Sequence, residues 1–349
     1  MQMEGRHIVV AGAGGNNGSH LLPHLARLSG VARLTLVDPD IYEPANLAVQ
    51  NIDGQDIGQP KVLAQAERLH RINPGLEVRA MQERIEDVPR GLLRCDLMVS
   101  CLDSRAARQH INEIAWRLNT PFIDCGILGS QNLARINAYF PSYGTPCLEC
   151  NWSSAEYSAL ETEYICGAGS GTAYPSMASS ALGALAASLV ALEIAKFMRE
   201  NPPCPMATRQ ILVDAENHSV LTTGSRRNPW CRFDHCDWVI QPWRCRLGQT
   251  TVGMALSALG SIQVEGHRFA YELTCPGCGR SERTLRLNRP LARCPVCNRR
   301  MVTSGLGLLE RLDPELAAQY RDLTLAQVGL RVGDIVSSAK RHHQIEEAA

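Results

Sequence analysis

Residues 7–11 form a short unbroken apolar run that stops at a glycine-rich stretch, Gly12-Ala13-Gly14-Gly15-Asn16-Asn17-Gly18. Apolar positions then recur at Leu21, Leu22, Leu25 and Leu28, the three- and four-residue spacing of a helix with one buried face. A second apolar run at 34–37 ends at Asp38. The alternation continues with a helix predicted from 61 to about 69, strands near 76–80 and at 97–101, a helix at 105–116 and a strand at 122–125. Strands alternating with helices predict an α/β fold built on a doubly wound, mostly parallel sheet.

Beyond residue 132 the predicted strands are longer, and Pro175 is read as opening a small-residue helix that runs to about 198 and suits a core or a dimer seam. The low-charge run 177–192 contains Ser179, Ser180 and Ser188 and is closed by Glu193 and Lys196, so it reads as a buried helix rather than a membrane span of about 20 apolar residues. Runs at 210–214 and 219–223 predict a closing hairpin. The texture then changes, and the expected division is residues 1–248 for the first domain and 249–349 for a zinc ribbon with a helical tail. A chain of 349 residues has room for about two such domains.

Charge narrows the partners. Thirty-five basic residues balance thirty-five acidic ones, so no global field draws the chain toward nucleic acid or an anionic membrane. An aromatic content of 5% also argues against recognition of bases by stacking. The first residues lack the pattern of a secretory signal, so the fourteen cysteines are expected as reduced thiols or metal ligands in the cytoplasm.

Gly12, Gly14, Gly15 and Gly18, after a strand and before a helix, let the backbone approach phosphates that the helix N-terminus attracts. Asp38 would take a ribose hydroxyl in an NAD site or an ATP site alike. The rest of the constellation separates the two: Asp38-Pro39-Asp40, Asn46-Leu47 with Gln50, Gly58-Gln59-Pro60-Lys61 opening a helix, Leu102-Asp103-Ser104 with Arg108, and Cys147-x-x-Cys150. In this order the set resembles the ThiF/MoeB/HesA superfamily, relatives of ubiquitin-activating enzymes with a Rossmann-like domain, over roughly residues 6 to 240. That resemblance implies ATP and magnesium as cofactors. It also implies adenylation of the C-terminal glycine of a small ubiquitin-like or sulfur-carrier protein. Under it Lys61 binds phosphate, Asp103 holds magnesium, Asp38 takes the ribose, Asn46 reaches the phosphates, Asp40 supports the adenosine end of the loop, and Gln50 belongs to the cofactor-binding set. Cys166 resembles the thiol that some members use for a thioester. One position departs from the family pattern Asn-Leu-x-Arg-Gln: Val49 stands where the arginine would be.

Two cysteine groups carry metal-ligand spacing. Cys275-x-x-Cys278 and Cys294-x-x-Cys297, fifteen residues apart, match four thiolates around zinc. Seven arginines from Arg280 to Arg300 stand there against Glu282 alone, a local balance of +6 (seven minus one) that suits nucleic acid or an acidic protein surface. Cys147 and Cys150 would join Cys231, His235 or Cys236 in a second site that resembles the family's structural zinc site. A helical segment would put Cys231 and His235 on one face, which favours His235 over Cys236. The first expectation is therefore an adenylating homodimer with two zinc sites. A catalytically weak ATP-binding scaffold and a nucleic-acid-associated modifier remain the alternatives.

Overall fold

The computed structural model describes residues 5–142, 144–165, 178–199, 208–289, 293–303, 307–315, 317–338 and 341–348. The expected alternation is present as β1 (Arg6–Ala11), α1 (Asn16–Leu25), β2 (Val31–Val37), α2 (Lys61–Ile72), β3 (Glu77–Met81), β4 (Leu97–Ser100), α3 (Arg105–Arg117) and β5 (Phe122–Leu128). It continues with β6 (Leu133–Tyr139), α4 (Ser154–Ile165), α5 (Ser180–Arg199), β7 (Arg209–Asp214) and β8 (Ser219–Gly224). One eight-stranded sheet runs in the order β3-β2-β1-β4-β5-β6-β7-β8. It is parallel through β5 and antiparallel from β6 onward. β1 lies between β2 and β4, so the strand order reverses there and a crevice opens at the carboxyl ends of β1 and β4.

The period-2 pattern of the strands sorts their side chains onto two faces. Ile8, Val10, Leu34, Leu36, Val99, Ile123 and Cys125 share one core with Leu21, Leu22 and Leu25 of α1 and Leu182, Ala186, Val190 and Ile194 of α5. Each such buried aliphatic side chain contributes about 1.5–3 kcal/mol. The other face carries Met98, Phe122 and Tyr139, all buried, and α3 packs on β4 and β5. Ser104 starts α3 by accepting the Ala107 N–H at 3.1 Å, which fixes where the chain turns after β4.

At 20 residues α5 is, by length and composition, apolar enough to cross a membrane, longer than the run first read as too short. Its buried face lies in the sheet core, and its buried Glu193 is answered by Lys196 at 2.5 Å. The expected opening at Pro175 falls outside the described residues.

The second unit contains β9 (Ile240–Cys245), α6 (Val252–Leu259), β10 (Gln263–Val264), β11 (Phe269–Thr274), β12 (Ser281–Leu287) and β13 (Leu308–Leu309), then α7 (Leu325–Val328), β14 (Ile335–Ser338) and β15 (Arg341–Glu347). A four-stranded sheet has the order β10-β14-β15-β9, and β12-β11-β13 form the ribbon sheet. The chain divides into Met1–Glu86 with Cys95–Asp237, and Asp87–Arg94 with Trp238–Ala349. This division lies ahead of the change at 248, because β9 pairs in parallel with β15 and so belongs to the later unit. The tail is not the expected helix. Among the described residues its α-helix is the four-residue α7, stopped by Gly329 at φ +93°, and the residues that follow pair as strands. His342 stacks on Trp238 with ring centroids 4.2 Å apart. Residues 87–94 join this unit through Gly91 N–H to Gly333 O at 2.8 Å and Arg331 to Asp87 O.

Candidate active site and metal centres

At the end of β1, Gly12 takes φ +74°, and a Cβ on it would stand 2.6 Å from the Cys101 carbonyl oxygen, so both conformation and space exclude a side chain. A Cβ on Gly14 would stand 2.3 Å from Lys61 Cβ, which makes this glycine the floor on which the lysine stem lies. Gly18 presses equally closely on the Gly12 carbonyl. Gly15 caps α1 with extended backbone and no side-chain acceptor, and the first turn contains no acid. The N–H groups and positive end of α1 therefore stay available to an anion.

Asp38, 4% exposed at the end of β2, shapes this loop. Its Oδ2 accepts the Gly14 N–H at 2.9 Å and its Oδ1 accepts the Asp40 N–H at 3.1 Å. Burial pushes its pKa above the ordinary carboxylate value, and the Lys61 charge opposes that rise. Lys61, 7% exposed at the start of α2, places Nζ 3.2 Å from Asp40 Oδ2. Sequence reading missed the brace beneath it. Tyr42 donates its hydroxyl to Gly14 O at 3.2 Å and accepts from Gln65 Nε2 at 2.8 Å. Gln65 sits one helical turn after Lys61 on the inward face, the spacing by which it was legible.

Asn46 Oδ1 accepts the Glu43 N–H at 2.8 Å and closes the turn Pro44–Ala48, and the Gln50 N–H donates to Asn46 O at 2.8 Å. Asn51 N–H, donating to Ser19 Oγ at 3.0 Å, fastens this segment to α1. Gln50 Oε1 and Asn17 Oδ1 are buried without a partner, polar atoms of the kind a ligand completes. Asp103 is exposed on the loop after β4. Arg108 holds that loop by donating Nε and Nη2 to Leu102 O at 2.9 and 2.7 Å. Thus Gly12, Gly14, Gly15, Gly18, Asp38, Asp40 and Lys61 converge directly, while Asn46, Gln50 and Asp103 lie on the two loops beside them. Cys166 lies outside the described residues. The glycine floor and the uncapped helix fit the phosphates of a nucleoside triphosphate.

Cys147 and Cys150 bracket a short turn and meet Cys231 and His235 from far along the chain. The Cys147 Sγ lies 3.8 Å from Cys150 Sγ and 3.7 Å from Cys231 Sγ, and His235 Nε2 lies 3.2 Å from Cys150 Sγ. Zn–S bonds of about 2.3 Å give a tetrahedron with S···S edges of about 3.8 Å, so this donor set fits zinc. His235 Nδ1 donates to Phe233 O at 2.7 Å, which aims Nε2 at the thiols.

Residues 231–236 are not helical. A left-handed turn at His235, φ +57°, selects the histidine, rather than a shared helix face. Cys236 is no part of the cluster. It is exposed, with Sγ 3.6 Å from Asp234 O, because Arg117 pins Asp234 and the Cys236 carbonyl on the outer side. His235→Ala is expected to lower the zinc content by about one equivalent, whereas Cys236→Ala leaves it unchanged. Metal analysis of the two purified variants checks this.

The ThiF family profile matches residues 2–233, two thirds of the chain. The chain belongs to the ThiF family. Among its relatives, the sulfur carrier protein ThiS adenylyltransferase of Escherichia coli is 32% identical over 127 residues, covering 36% of this chain and 50% of the relative. The sulfur carrier protein adenylyltransferase of Thermus thermophilus is 29% identical over 233 residues, covering 64% of this chain and 80% of the relative. The chain thus spans half the length of the first relative. The solved structure of E. coli MccB with succinimide superposes with a TM-score of 0.55 at 21% identity over 67% of each chain, a likeness of fold.

The second cluster lies beyond the ThiF-family match. Cys275 and Cys297 Sγ are 3.2 Å apart, Cys278 and Cys294 Sγ 3.6 Å apart, and all four sulfurs lie within 4.8 Å of one another. The two knuckles repeat one geometry. Gly279 N–H donates to Cys275 O at 3.0 Å, Asn298 N–H to Cys294 O at 2.9 Å, and both residues take left-handed φ, +71° and +58°. The Cys278 backbone N–H pulls the Cys275 thiol down to about 6, toward the thiolate that a metal needs. Burial instead pushes Cys125 up to about 12, so that core thiol stays protonated.

Proposed function

We propose that this protein uses ATP and magnesium to adenylate the C-terminal glycine of a small ubiquitin-like or sulfur-carrier protein, as a cytoplasmic homodimer with two structural zinc ions. The observation that carries the reading is the placement of Lys61 against Gly14 at the uncapped end of α1, with Asp38 bound to the same glycine. The relatives' printed activities on sulfur carriers support it.

A carboxylate oxygen of the carrier attacks the α-phosphorus, the bond to the bridging oxygen breaks, and pyrophosphate leaves with its electron pair. Like charges meet in this step, so positive groups must be in place beforehand. Lys61 and the α1 N–H groups supply them on the phosphate side, and Asp38 accepts from the ribose. Asp103 would hold magnesium, which when bound adds positive charge beside the phosphates. In the second step of this reading the Cys166 thiolate attacks the acyl carbon of the adenylate, the bond to the phosphate oxygen breaks, and AMP leaves as the thioester forms.

Val49 favours one other reading, a scaffold that binds ATP without adenylating. ATP–pyrophosphate exchange, measured with a panel of carriers ending in Gly-Gly, separates the two. Carrier-dependent exchange supports adenylation, and ATP binding without exchange for any carrier favours the scaffold.

Asp38 adds a pH dependence. Its carboxyl must be ionised to accept from ribose hydroxyls, and its pKa is raised by burial. ATP affinity should therefore weaken as pH falls, at a pH above the ordinary carboxylate value of about 4. Lys61→Met should move that inflection higher, since the lysine charge lowers the pKa. In stability the sign is opposite: the unfolded carboxyl ionises first, so the folded state loses stability as pH rises through the raised pKa. Calorimetric titration with a non-hydrolysable ATP analogue across pH tests the binding claim.

A further inference from the structure

Asp124, on β5, is fully buried, and its Oδ2 lies 3.4 Å from Arg108 Nη1 and 3.5 Å from Arg135 Nη2. Its other oxygen, Oδ1, has no hydrogen-bond partner. Two guanidinium groups crowd one carboxylate oxygen, which leaves one positive charge in excess. Arg108 is tied into the protein through Leu102 O, the carbonyl next to Asp103. Arg135 faces Gly126 across β5 and β6, and its side chain is 39% exposed. It is the guanidinium of the pair that solvent reaches.

The same face carries a row of buried polar groups. Ser100, Asp124 and Asn137 stand in register across β4, β5 and β6. All three are buried, and Ser100 Oγ, Asp124 Oδ1 and Asn137 Oδ1 each lack a partner. Buried polar atoms are rarely left so, but these three are closed to solvent and do not themselves meet a ligand. What reaches the surface is the surplus positive charge on Arg135. A terminal carboxylate answers that charge. Glycines at the end of a peptide remove the Cβ that would hold the tail away.

We propose that Arg135, oriented by Asp124 and Arg108, is the docking cation for the C-terminal carboxylate of the carrier. This rests on the adenylation reading and assigns its acceptor half. The triphosphate is met by Lys61 and α1, and the carboxylate by the arginine pair at the ends of β4 to β6. Arg135 would thereby supply from β6 the positive charge that Val49 does not.

The test uses the full chain with magnesium, a non-hydrolysable ATP analogue and a ten-residue peptide ending in Gly-Gly, as the free acid and as the C-terminal amide. Wild type should bind the acid about tenfold or more tightly than the amide, the size of a charge-assisted hydrogen bond. Arg135→Gln should reduce that preference to about twofold or less, while affinity for the ATP analogue stays unchanged. Arg135→Lys should keep part of the preference, and Arg33→Gln, at an exposed arginine paired with Glu77, all of it. Equal binding of acid and amide to wild type, no binding of either, or an undiminished preference in Arg135→Gln overturns the assignment. An acid preference that depends on Arg135 without pyrophosphate exchange would leave the docking site standing and remove the adenylation reading. Exchange in wild type together with an undiminished preference in Arg135→Gln would do the reverse.

Discussion

Lys61→Met should lower carrier-dependent ATP–pyrophosphate exchange by about 10²- to 10³-fold, the loss seen when one preorganised charge-stabilising group is removed. Methionine keeps the stem that lies on Gly14 and removes only the ammonium. Tyr42, Gln65 and Asp38 keep their bonds to the loop, none of which passes through Lys61 Nζ. The fold should survive, because the ion pair that is lost reaches an Asp40 side chain that is 62% exposed, a setting in which such pairs contribute about 0–1 kcal/mol. Gly14→Ala approaches the same site from the other side. Its Cβ would overlap the lysine stem at 2.3 Å, so either the loop or Lys61 must move. The two variants should therefore share a defect in exchange, with unchanged circular dichroism in Lys61→Met. Exchange within a few-fold of wild type in Lys61→Met would remove the lysine from the chemistry and with it the main support for adenylation.

The parts of this site that sequence made legible are those in which one local feature carries the geometry. The apolar run before Gly12 and the periodic leucines after it set β1 and α1, and Asp38 and Lys61 each stand at the boundary of an element. What stayed hidden depends on how a turn closes. Arg135 meets Asp124 because the turn 129–132, with Asn132 left-handed at φ +49°, folds β6 back on β5 in the register that places Arg135 opposite Gly126. Helical spacing points to His235 for a reason the segment does not have, since a single left-handed residue brings its ring to the thiols. The tail shows a conflict of local and tertiary signals. Thr324 and Gln327 make a real capping box, yet Gly329 ends the helix within a turn. Ile335-Val336 then find partners in β10 and β15 that no helix offers.

Cys294→Ser should remove about one equivalent of zinc and unfold the knuckle end of the ribbon while the ThiF-family unit stays folded. That end has little else to hold it, whereas Phe269, Leu285 and Leu287 at the far end of β11 and β12 pack in the larger core of the same unit. The buried cluster by the knuckles is Ala270, Leu273, Cys275, Cys294 and Met301, in which two of the five members belong to the four-thiol group. Ordering each residue costs about 1–2 kcal/mol of backbone entropy, and one leucine, one methionine and one alanine do not offset that over two knuckles. Structural zinc binding, worth about 10–16 kcal/mol in small zinc domains, becomes folding energy. Serine keeps the volume of the side chain and loses the thiolate, so the metal is affected first and the packing second. Hydrogen exchange is the readout: amides such as Cys275 N–H to Arg280 O at 2.8 Å and Cys294 N–H to Arg299 O at 2.7 Å close the two knuckles and should lose protection together. Protection in β1, β4 and β5 should not change, and the Cys147–Cys150–Cys231–His235 site should keep its own zinc. A variant that retains both equivalents, or a ribbon that stays protected after losing one, would show that the thiols are not what folds it.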